Sequence, residues 1–253
     1  MIAKKLLCAL GVALIAAASG FAQEGPKTIA AIEFQTPKNG MLKQYEEGRK
    51  QKVEWHKQQK DAQALYVFEV LTGEAMGSFV VGRFGVHWAD LDKPSVSDAA
   101  DLEQYRKLIA GSVEKLTAAY YEDMPQWSNP STDMNAKYTE VITFHLRYGK
   151  GDDFRSAVMR VHEARQKMKS PSHYAWHHLV DGGPGGTYVL TVDHANFASF
   201  EDDPAVKPLR DDLRAAFGEQ EAMSVIERLN GSIESTYSEL IQFRADLSYI
   251  PGK

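Results

Sequence analysis

Residues 173–190 read HYAWHHLVDGGPGGTYVL. Two runs rich in aromatic and β-branched residues flank a loop, residues 181–186, that contains four glycines and one proline. This pattern predicts two antiparallel strands joined by a glycine-rich turn. A phosphate-binding loop would instead place its glycines between a strand and the first turn of a helix. The stretch therefore predicts a β-hairpin, with strands over residues 174–180 and 187–193.

The same hairpin pattern occurs earlier in the chain, at residues 65–91, LYVFEVLTGEAMGSFVVGRFGVHWADL. Tyr66 aligns with Tyr174, and Leu71 aligns with Leu179. After a one-residue slip in the loop, the Trp88-Ala89 pair aligns with the pair at 197–198. Further matches follow in the same order upstream and downstream, which indicates an internal repeat.

Each half of the chain then predicts the same order of elements, β-α-β-β-α-β, which is the ferredoxin-like unit. In the first half the predicted strands are 30–36, 66–71, 79–84 and 121–127, and the predicted helices are 42–60 and an apolar-periodic segment from Leu102 to Leu116. In the second half the strands are 140–148, 174–180, 187–193 and 239–246, and the helices are 154–169 and 209–229. The predicted repeats are residues 27–127 and 138–250, joined by a Pro-, Asn- and Ser-containing linker at 128–137.

A single ferredoxin-like unit leaves one sheet face bare, and two units in one chain can bury these faces against each other. The chain therefore resembles the dimeric α/β-barrel superfamily, which includes antibiotic-monooxygenase-like and NIPSNAP-like proteins. The resemblance rests on the topology and on the aromatic segments 88–90 and 197–199 that follow each hairpin. It implies an α+β fold in which two tandem ferredoxin-like units close a pseudo-dimeric α/β barrel. Members of this superfamily differ widely in chemistry, so the fold does not select an activity.

Residues 1–22 have the order of a secretory signal: Lys4-Lys5, an apolar run over 6–18 and small residues at 19–22. The prediction is cleavage near Ala22 and a secreted or periplasmic protein. The alternative is an uncleaved anchor, although the apolar run is shorter than the roughly 20 residues that span a bilayer. Cys8, the only cysteine, lies in this segment, so the mature chain has no disulfide and no cysteine metal ligand.

The charge balance disfavours polyanionic partners. Removal of residues 1–22 takes two of the 29 basic residues and leaves all 34 acidic ones. Nucleic acids and anionic membrane surfaces need a basic footprint, which this balance does not provide. A small molecule is the expected partner; no oligomer is predicted, and no membrane contact is predicted after signal cleavage.

Three histidines, His173, His177 and His178, fall within six residues of the hairpin. Side chains alternate between the two faces of a strand, so His178 points away from the face of the other two. The three cannot hold one metal, and no metal site is predicted. On the first strand of the second half, Thr143, His145 and Arg147 alternate with apolar residues and are predicted to face the barrel interior.

The sequence does not decide which face of the strand at residues 174–180 points into the barrel. Ala175 and Leu179 resemble helix-packing residues, which favours Trp176 and His178 inside, whereas the repeat aligns His177 with Glu69 and favours the opposite face. We expect the first arrangement. The predicted ligand-binding residues are Thr143, His145, Arg147, Tyr174, Trp176 and His178. For Arg147 an exposed surface position is the alternative, because arginine is mostly exposed in folded proteins.

Two functions follow as hypotheses. The first is a binding protein for a small planar or anionic molecule in the barrel. The alternative is a cofactor-free or haem-dependent monooxygenase or isomerase with His145 or His178 as acid or base and Arg147 as the anion holder. Whether the chain is an enzyme stays open; no cofactor is predicted from the residues, and haem enters only through the resemblance. The remaining histidines predicted to face solvent are His56, His87, His162 and His194.

Overall fold

The structure, a computed structural model, describes residues 27–131, 136–201 and 205–252. The predicted signal segment, residues 1–22, lies outside the described residues. No helix of the described ranges is both long and apolar enough to span a bilayer.

The elements follow the predicted order in both halves. The first half contains β1 (Ile29–Pro37), α1 (Leu42–Gln59), β2 (Tyr66–Val70), β3 (Phe79–Val86), the short α2 (Trp88–Leu91), α3 (Asp98–Leu108) and β4 (Val113–Asp123). The second half contains β5 (Tyr138–Leu146), α4 (Gly151–Lys167), β6 (Ala175–Asp181), β7 (Thr187–His194), α5 (Leu209–Phe217), α6 (Glu219–Ser232) and β8 (Ile233–Phe243). Short 3₁₀ turns lie at Ala110–Ser112, Pro125–Trp127 and Phe197–Phe200.

The last strand of each half begins earlier than predicted. Val113 and Leu116 continue the apolar spacing of the preceding helix, but the chain leaves the helix at Leu108 and both residues belong to β4, where they pair with β1. The predicted strand at 121–127 is likewise displaced, because Pro125–Trp127 is a 3₁₀ turn. In the second half, Gly218 adopts a φ of 87° and divides the predicted helix 209–229 into α5 and α6.

All eight strands form one closed antiparallel barrel in the order β1-β3-β2-β8-β5-β7-β6-β4. Each half contributes four neighbouring strands with the same internal order, β4-β1-β3-β2 and β8-β5-β7-β6. Two short pairings, β2 with β8 and β4 with β6, close the barrel between the halves. Because every pairing is antiparallel, β1 and β5 run in the same direction, as an approximate two-fold axis along the barrel requires. The predicted α+β fold of two tandem ferredoxin-like units is confirmed.

The helices cover the outside of the barrel and bury the side chains on the outer face of each strand. In the first half the buried cluster is Tyr45, Val67, Phe79, Val81, Ile109 and Leu247. In the second half it is Met124, Trp127, Leu146, Phe154, Val158, Tyr174, Trp176 and Tyr188. The opposite side chain set of each strand faces the barrel interior, as strand alternation requires.

Each half is completed by the end of the other half. The first tail, residues 124–129, follows β4 and carries Trp127, which is 2% exposed and packs against Tyr188 of the second half at 5.7 Å between ring centroids. The second tail, residues 244–249, follows β8 and carries Leu247, which is 1% exposed in the cluster of the first half. Tyr249 of this tail exchanges two backbone hydrogen bonds of 2.8 Å with Leu65. The two halves are therefore interlocked rather than merely adjacent.

Candidate functional site

The barrel interior contains a cavity of about 310 Å³. This volume lies at the lower end of the range for small-molecule sites, roughly 300–1,000 Å³. The residues that line it are Ala30, Ile32, Phe34, Phe68, Val80, Phe84, Tyr121, Thr139, Val141, Thr143, Ala175, His177, Val189, Thr191, Asp193, Tyr237, Glu239 and Ile241.

The two halves line this cavity with different chemistry. On β1, β2 and β3 of the first half the lining residues are apolar, with Phe34, Phe68 and Phe84 as the three aromatic ones. On β5, β6 and β7 of the second half the lining includes Thr139, Thr143, His177, Thr191 and Asp193. Among the described residues that line the cavity there is no lysine and no arginine. The site therefore offers one apolar wall and one hydrogen-bonding wall.

His177 forms a dyad with Asp123 across the β4–β6 pairing that closes the barrel. Its Nδ1 lies 2.9 Å from Asp123 Oδ1, and Thr28 Oγ1 donates to Asp123 Oδ2 at 2.6 Å. Burial raises the pKa of Asp123, but the hydrogen bonds from His177 and Thr28 outweigh it and leave the pKa below its usual value. An ionised carboxylate only accepts hydrogen bonds, so Nδ1 carries the imidazole proton.

The other ring nitrogen of His177 is then the proton acceptor. Nε2 lies 3.4 Å from Thr191 Oγ1, a long contact, and both residues line the cavity. A neutral imidazole whose Nδ1–H is fixed by a carboxylate presents a basic Nε2, which is the arrangement of an oriented general base.

The equivalent position in the first half lacks this chemistry. Phe68 pairs with Phe243 across the β2–β8 closure, in the register in which His177 pairs with Asp123 across the β4–β6 closure. The two phenyl rings pack with 5.6 Å between centroids. One closure of the barrel thus carries an acid–base pair and the other carries an aromatic pair.

Tyr121, Tyr237 and Glu239 add polar groups from β4 and β8. Burial raises the pKa of Tyr121 to about 12, and nearby Tyr237 and Glu239 add to the rise, so the phenol stays protonated at neutral pH. Burial also raises the pKa of the Glu239 carboxyl, against a lowering hydrogen bond from the Ala75 backbone and with a further rise from Glu74. The Tyr121 hydroxyl therefore remains a hydrogen-bond donor beside the cavity.

Two of the predicted site residues lie on the expected face of β5. Thr143 lines the cavity. His145 points to the same side, with Nδ1 2.9 Å from Thr187 Oγ1 and its ring 5.7 Å from that of Tyr237, but it does not line the cavity. Arg147 lies beyond the end of β5 and is exposed, so the alternative surface position is the one observed.

The prediction that Trp176 and His178 of β6 face the barrel interior was wrong. Trp176 lies on the outer face, 5.4 Å from Phe144 and 5.7 Å from Phe154 of α4 between ring centroids. Tyr174 is buried in the same cluster, and His178 stacks on Tyr188 at 4.6 Å. The large indole fills the space beneath the helix, and strand alternation then turns Ala175 and His177 inward. The six predicted residues are therefore divided between two faces and do not form one site.

The residues that sequence reasoning missed come together only through barrel closure. Asp123 and His177 are 54 positions apart and become neighbours through the β4–β6 pairing. The repeat alignment of His177 with Glu69 was displaced by one residue: in the structure His177 takes the position of Phe68, which also lines the cavity. Glu69 lies on the opposite face of β2, where Arg244 Nη1 donates to it at 2.7 Å. Tyr121, Tyr237 and Glu239 stand on strands whose starts were misplaced, so their faces could not be assigned.

The chain matches no family model and no curated protein. Similar solved structures include a candidate monooxygenase from Lactobacillus acidophilus NCFM (TM-score 0.54, 10% identity, 89% of this chain and 97% of that chain). An anthrone oxidase-like protein matches with TM-score 0.53, 10% identity and coverage of 91% and 95%. A candidate monooxygenase from Fusobacterium nucleatum matches with TM-score 0.56, 8% identity and coverage of 86% and 92%. The chain has the dimeric α/β-barrel fold.

Haem occurs in some proteins of the dimeric α/β-barrel superfamily, but the cavity residues of this chain do not fit it. The cavity is small for a tetrapyrrole. Asp193 and Glu239 line the cavity, and the described lining residues include no lysine or arginine that could pair with the carboxylates of a haem. Within the described ranges no cluster of three or more His, Cys, Asp or Glu side chains is arranged to hold a metal ion.

A second buried polar cluster lies outside the barrel, beneath α1. His56, predicted to face solvent, is fully buried. Its Nδ1 lies 2.9 Å from Asp61 Oδ2 and its Nε2 lies 3.3 Å from Asp101 Oδ1, while Lys52 Nζ donates to Asp101 at 2.7 Å. His162 and His194 are also partly buried, by Tyr174 and Phe200 respectively. The ring of Tyr249 stacks on His56, so this cluster supports the second tail rather than the cavity.

Proposed function

We propose that this protein binds a small, planar, uncharged molecule in the barrel cavity. The observation that carries the proposal is the division of the cavity into an aromatic wall and a hydrogen-bonding wall. Phe34, Phe68 and Phe84 offer ring faces to an aromatic ligand. Thr139, Thr191 and their neighbours offer donors and acceptors to a hydroxyl or carbonyl group at its other end.

An uncharged ligand fits better than the anionic one considered from the sequence. Asp193 and Glu239 line the cavity and repel an anion. Arg147, the cation expected to hold it, is exposed beyond the end of β5. Residues 1–22 are part of the same proposal: their signal-like order supports a binding function in the periplasm or outside the cell.

The proposal is tested with 2-naphthol and 2-naphthoate, which share a ring system and differ in charge. We expect 2-naphthol to bind at least about tenfold more tightly in a fluorescence titration, since a buried unpaired carboxylate is strongly disfavoured. Tighter binding of 2-naphthoate would show that the uncharged ligand class is wrong.

The location of the site is tested by filling the cavity. Ala175→Phe adds a ring at a lining position, whereas Met159→Phe places the same ring at an exposed position on α4. We expect Ala175→Phe to weaken 2-naphthol binding at least about tenfold and Met159→Phe to leave it unchanged, with both variants retaining the wild-type circular dichroism. Unchanged binding by folded Ala175→Phe would place the site elsewhere.

A second candidate function is a cofactor-free monooxygenase or isomerase. The observation that favours it is the His177–Asp123 dyad facing the cavity. The similar structures named as candidate monooxygenases and as anthrone oxidase-like support it by analogy of fold. Anthrone is the probe: with one O₂ it gives anthraquinone and one water, and oxygen uptake that depends on His177 would support the oxygenase.

A further inference from the structure

The polar wall carries more than the binding of an uncharged molecule needs. His177 is oriented by Asp123, and Asp123 is itself held by Thr28. A simple hydrogen bond to a ligand requires neither an ionised partner behind the imidazole nor the two phenols, Tyr121 and Tyr237, that line the same cavity. These groups together form the parts of a proton-transfer site: an oriented base and hydrogen-bond donors for a developing oxyanion.

We propose that His177 Nε2 removes a proton from the carbon next to the carbonyl group of a small planar ketone, while the hydroxyls of Tyr121 and Tyr237 hold the enolate oxygen. This inference rests on the proposed binding function and names its substrate class. All three side chains line the same cavity, and His177 is on β6 while Tyr237 is on β8, across the barrel. Tyr121 is on β4, which pairs with β6, and it lies close enough to Tyr237 for the two phenols to interact. A flat ketone in the cavity can therefore meet the base and both donors.

The proton and electron balance is complete without a co-reactant. The C–H bond breaks, its proton goes to Nε2, and its electron pair forms the C=C bond of the enolate as the carbonyl electrons move onto oxygen. Return of the proton to the same carbon restores the ketone, and delivery to a conjugated carbon shifts a double bond. Asp123 faces the imidazolium that exists between these steps, at 2.9 Å from its Nδ1.

The donors remain able to donate at neutral pH. Burial raises the pKa of Tyr121 to about 12, so the hydroxyl keeps its proton when the enolate forms. Glu239, whose pKa burial also raises, lies close enough to Tyr121 to add to that rise. The pKa of Asp123 is shifted in the opposite direction: burial raises it, but the hydrogen bonds from His177 and Thr28 lower it more and favour the ionised carboxylate. An ionised Asp123 can stabilise the imidazolium that forms when His177 accepts a proton.

The test is hydrogen–deuterium exchange of 2-tetralone, a small ketone fused to an aromatic ring, followed by NMR in D₂O. The wild-type protein is expected to accelerate exchange at the carbons beside the carbonyl. His177→Phe reproduces the phenylalanine of the other closure and is expected to lower the rate at least about 100-fold. Asp123→Asn and Tyr121→Phe are expected to lower it as well.

His178→Phe is the matched control. It removes the adjacent imidazole, which stacks on Tyr188 outside the barrel, and is expected to leave exchange unchanged. The pH profile separates chemistry from packing: the residual rate of His177→Phe should follow hydroxide alone, whereas the wild-type rate should not.

The outcomes separate this inference from the proposed function. Binding of 2-tetralone to wild type without accelerated exchange would overturn the proton-transfer site and leave the binding function standing. Equal losses in His177→Phe and His178→Phe, or a residual His177→Phe profile with the wild-type pH dependence, would also overturn it. Failure of both 2-tetralone and 2-naphthol to bind would overturn the binding function itself.

Discussion

Two adjacent histidines in β6 have opposite environments because consecutive side chains of a strand point to opposite faces of the sheet. His177 meets the cavity and Asp123, whereas His178 lies between Tyr188 and the outer surface. Burial lowers the pKa of His178, which Arg155 lowers further and Glu122 opposes, so this imidazole favours its neutral form. At this scale chemistry depends on the strand register, since a slip of one residue would exchange the two roles.

The glycine-rich loop that follows these histidines contains one position where a side chain cannot be accommodated. Gly182 has a φ of 96°, and a Cβ added there would lie 2.3 Å from the Ala118 backbone oxygen of β4. Gly182→Ala is therefore expected to cost at least about 1–3 kcal/mol in the free energy of unfolding, measured by urea denaturation. Gly185→Ala, which would meet nothing within 4 Å, is the control and is expected to change stability little. Equal effects of the two substitutions would contradict this account.

Buried His56 predicts a pH-dependent stability. Burial lowers its pKa and the Lys52 ammonium lowers it further, against the raising effects of Asp101 and Asp61. The folded protein thus favours neutral imidazole, so this contribution to stability is complete above the unfolded pKa of about 6.5 and is lost as pH falls below it.

We expect the free energy of unfolding of wild type to decrease from pH 7 to pH 5 and this decrease to be smaller in His56→Gln. The exposed His173→Gln is the control and should keep the wild-type slope. Urea titrations at several pH values give the slopes. A wild-type protein that becomes more stable on acidification over this range would refute the assignment.

At the scale of elements, the second tail acts as part of the first half. Leu247 is almost fully buried among Tyr45, Val67 and Phe79. Leu247→Ala should cost about 2–5 kcal/mol of unfolding free energy, from lost apolar burial and the cavity that remains. Leu102→Ala on the exposed face of α3 is the control and should cost less than about 1 kcal/mol. A similar cost for both would mean that the tail does not complete this core.

The order of elements could be predicted from the sequence, but the ends of the helices before β4 and β8 could not. Apolar residues at Leu108, Val113 and Leu116 satisfy helical spacing, and only pairing with β1 shows that the last two are in a strand. Which face of β6 points inward depends on the packing of Trp176 against α4. This is a tertiary contact that the local sequence pattern does not show. The cavity chemistry required the β4–β6 pairing, so Thr143 was placed correctly and His177 with Asp123 was not.

At the scale of the whole molecule, neither half should be stable alone. Each half buries the inner sheet face of the other. Trp127 of the first tail lies in the buried cluster of the second half, and Leu247 of the second tail lies in that of the first half. Residues 27–130 and 137–253 expressed separately are expected to lack a cooperative unfolding transition and to regain one when mixed or co-expressed. Two monomeric halves that each melt cooperatively and do not associate would contradict the interlocked barrel.

Export gives a separate prediction. The charged, apolar and small-residue order of residues 1–22 is expected to direct secretion and cleavage near Ala22. N-terminal sequencing of protein recovered outside the cytoplasm should begin close to residue 23. A recovered chain that retains Met1 would favour the uncleaved anchor.

The second tail also sets a condition on synthesis. Leu247 and Tyr249 complete the first half but are synthesised after all four strands of the second half. At typical elongation rates of ~5–20 residues per second, the first half waits roughly 10 s for the side chains that complete it. During that interval β2 and β3 present apolar surface that a nascent chain must keep from aggregating. A stop before residue 247 would therefore destabilise the part of the protein that was made first.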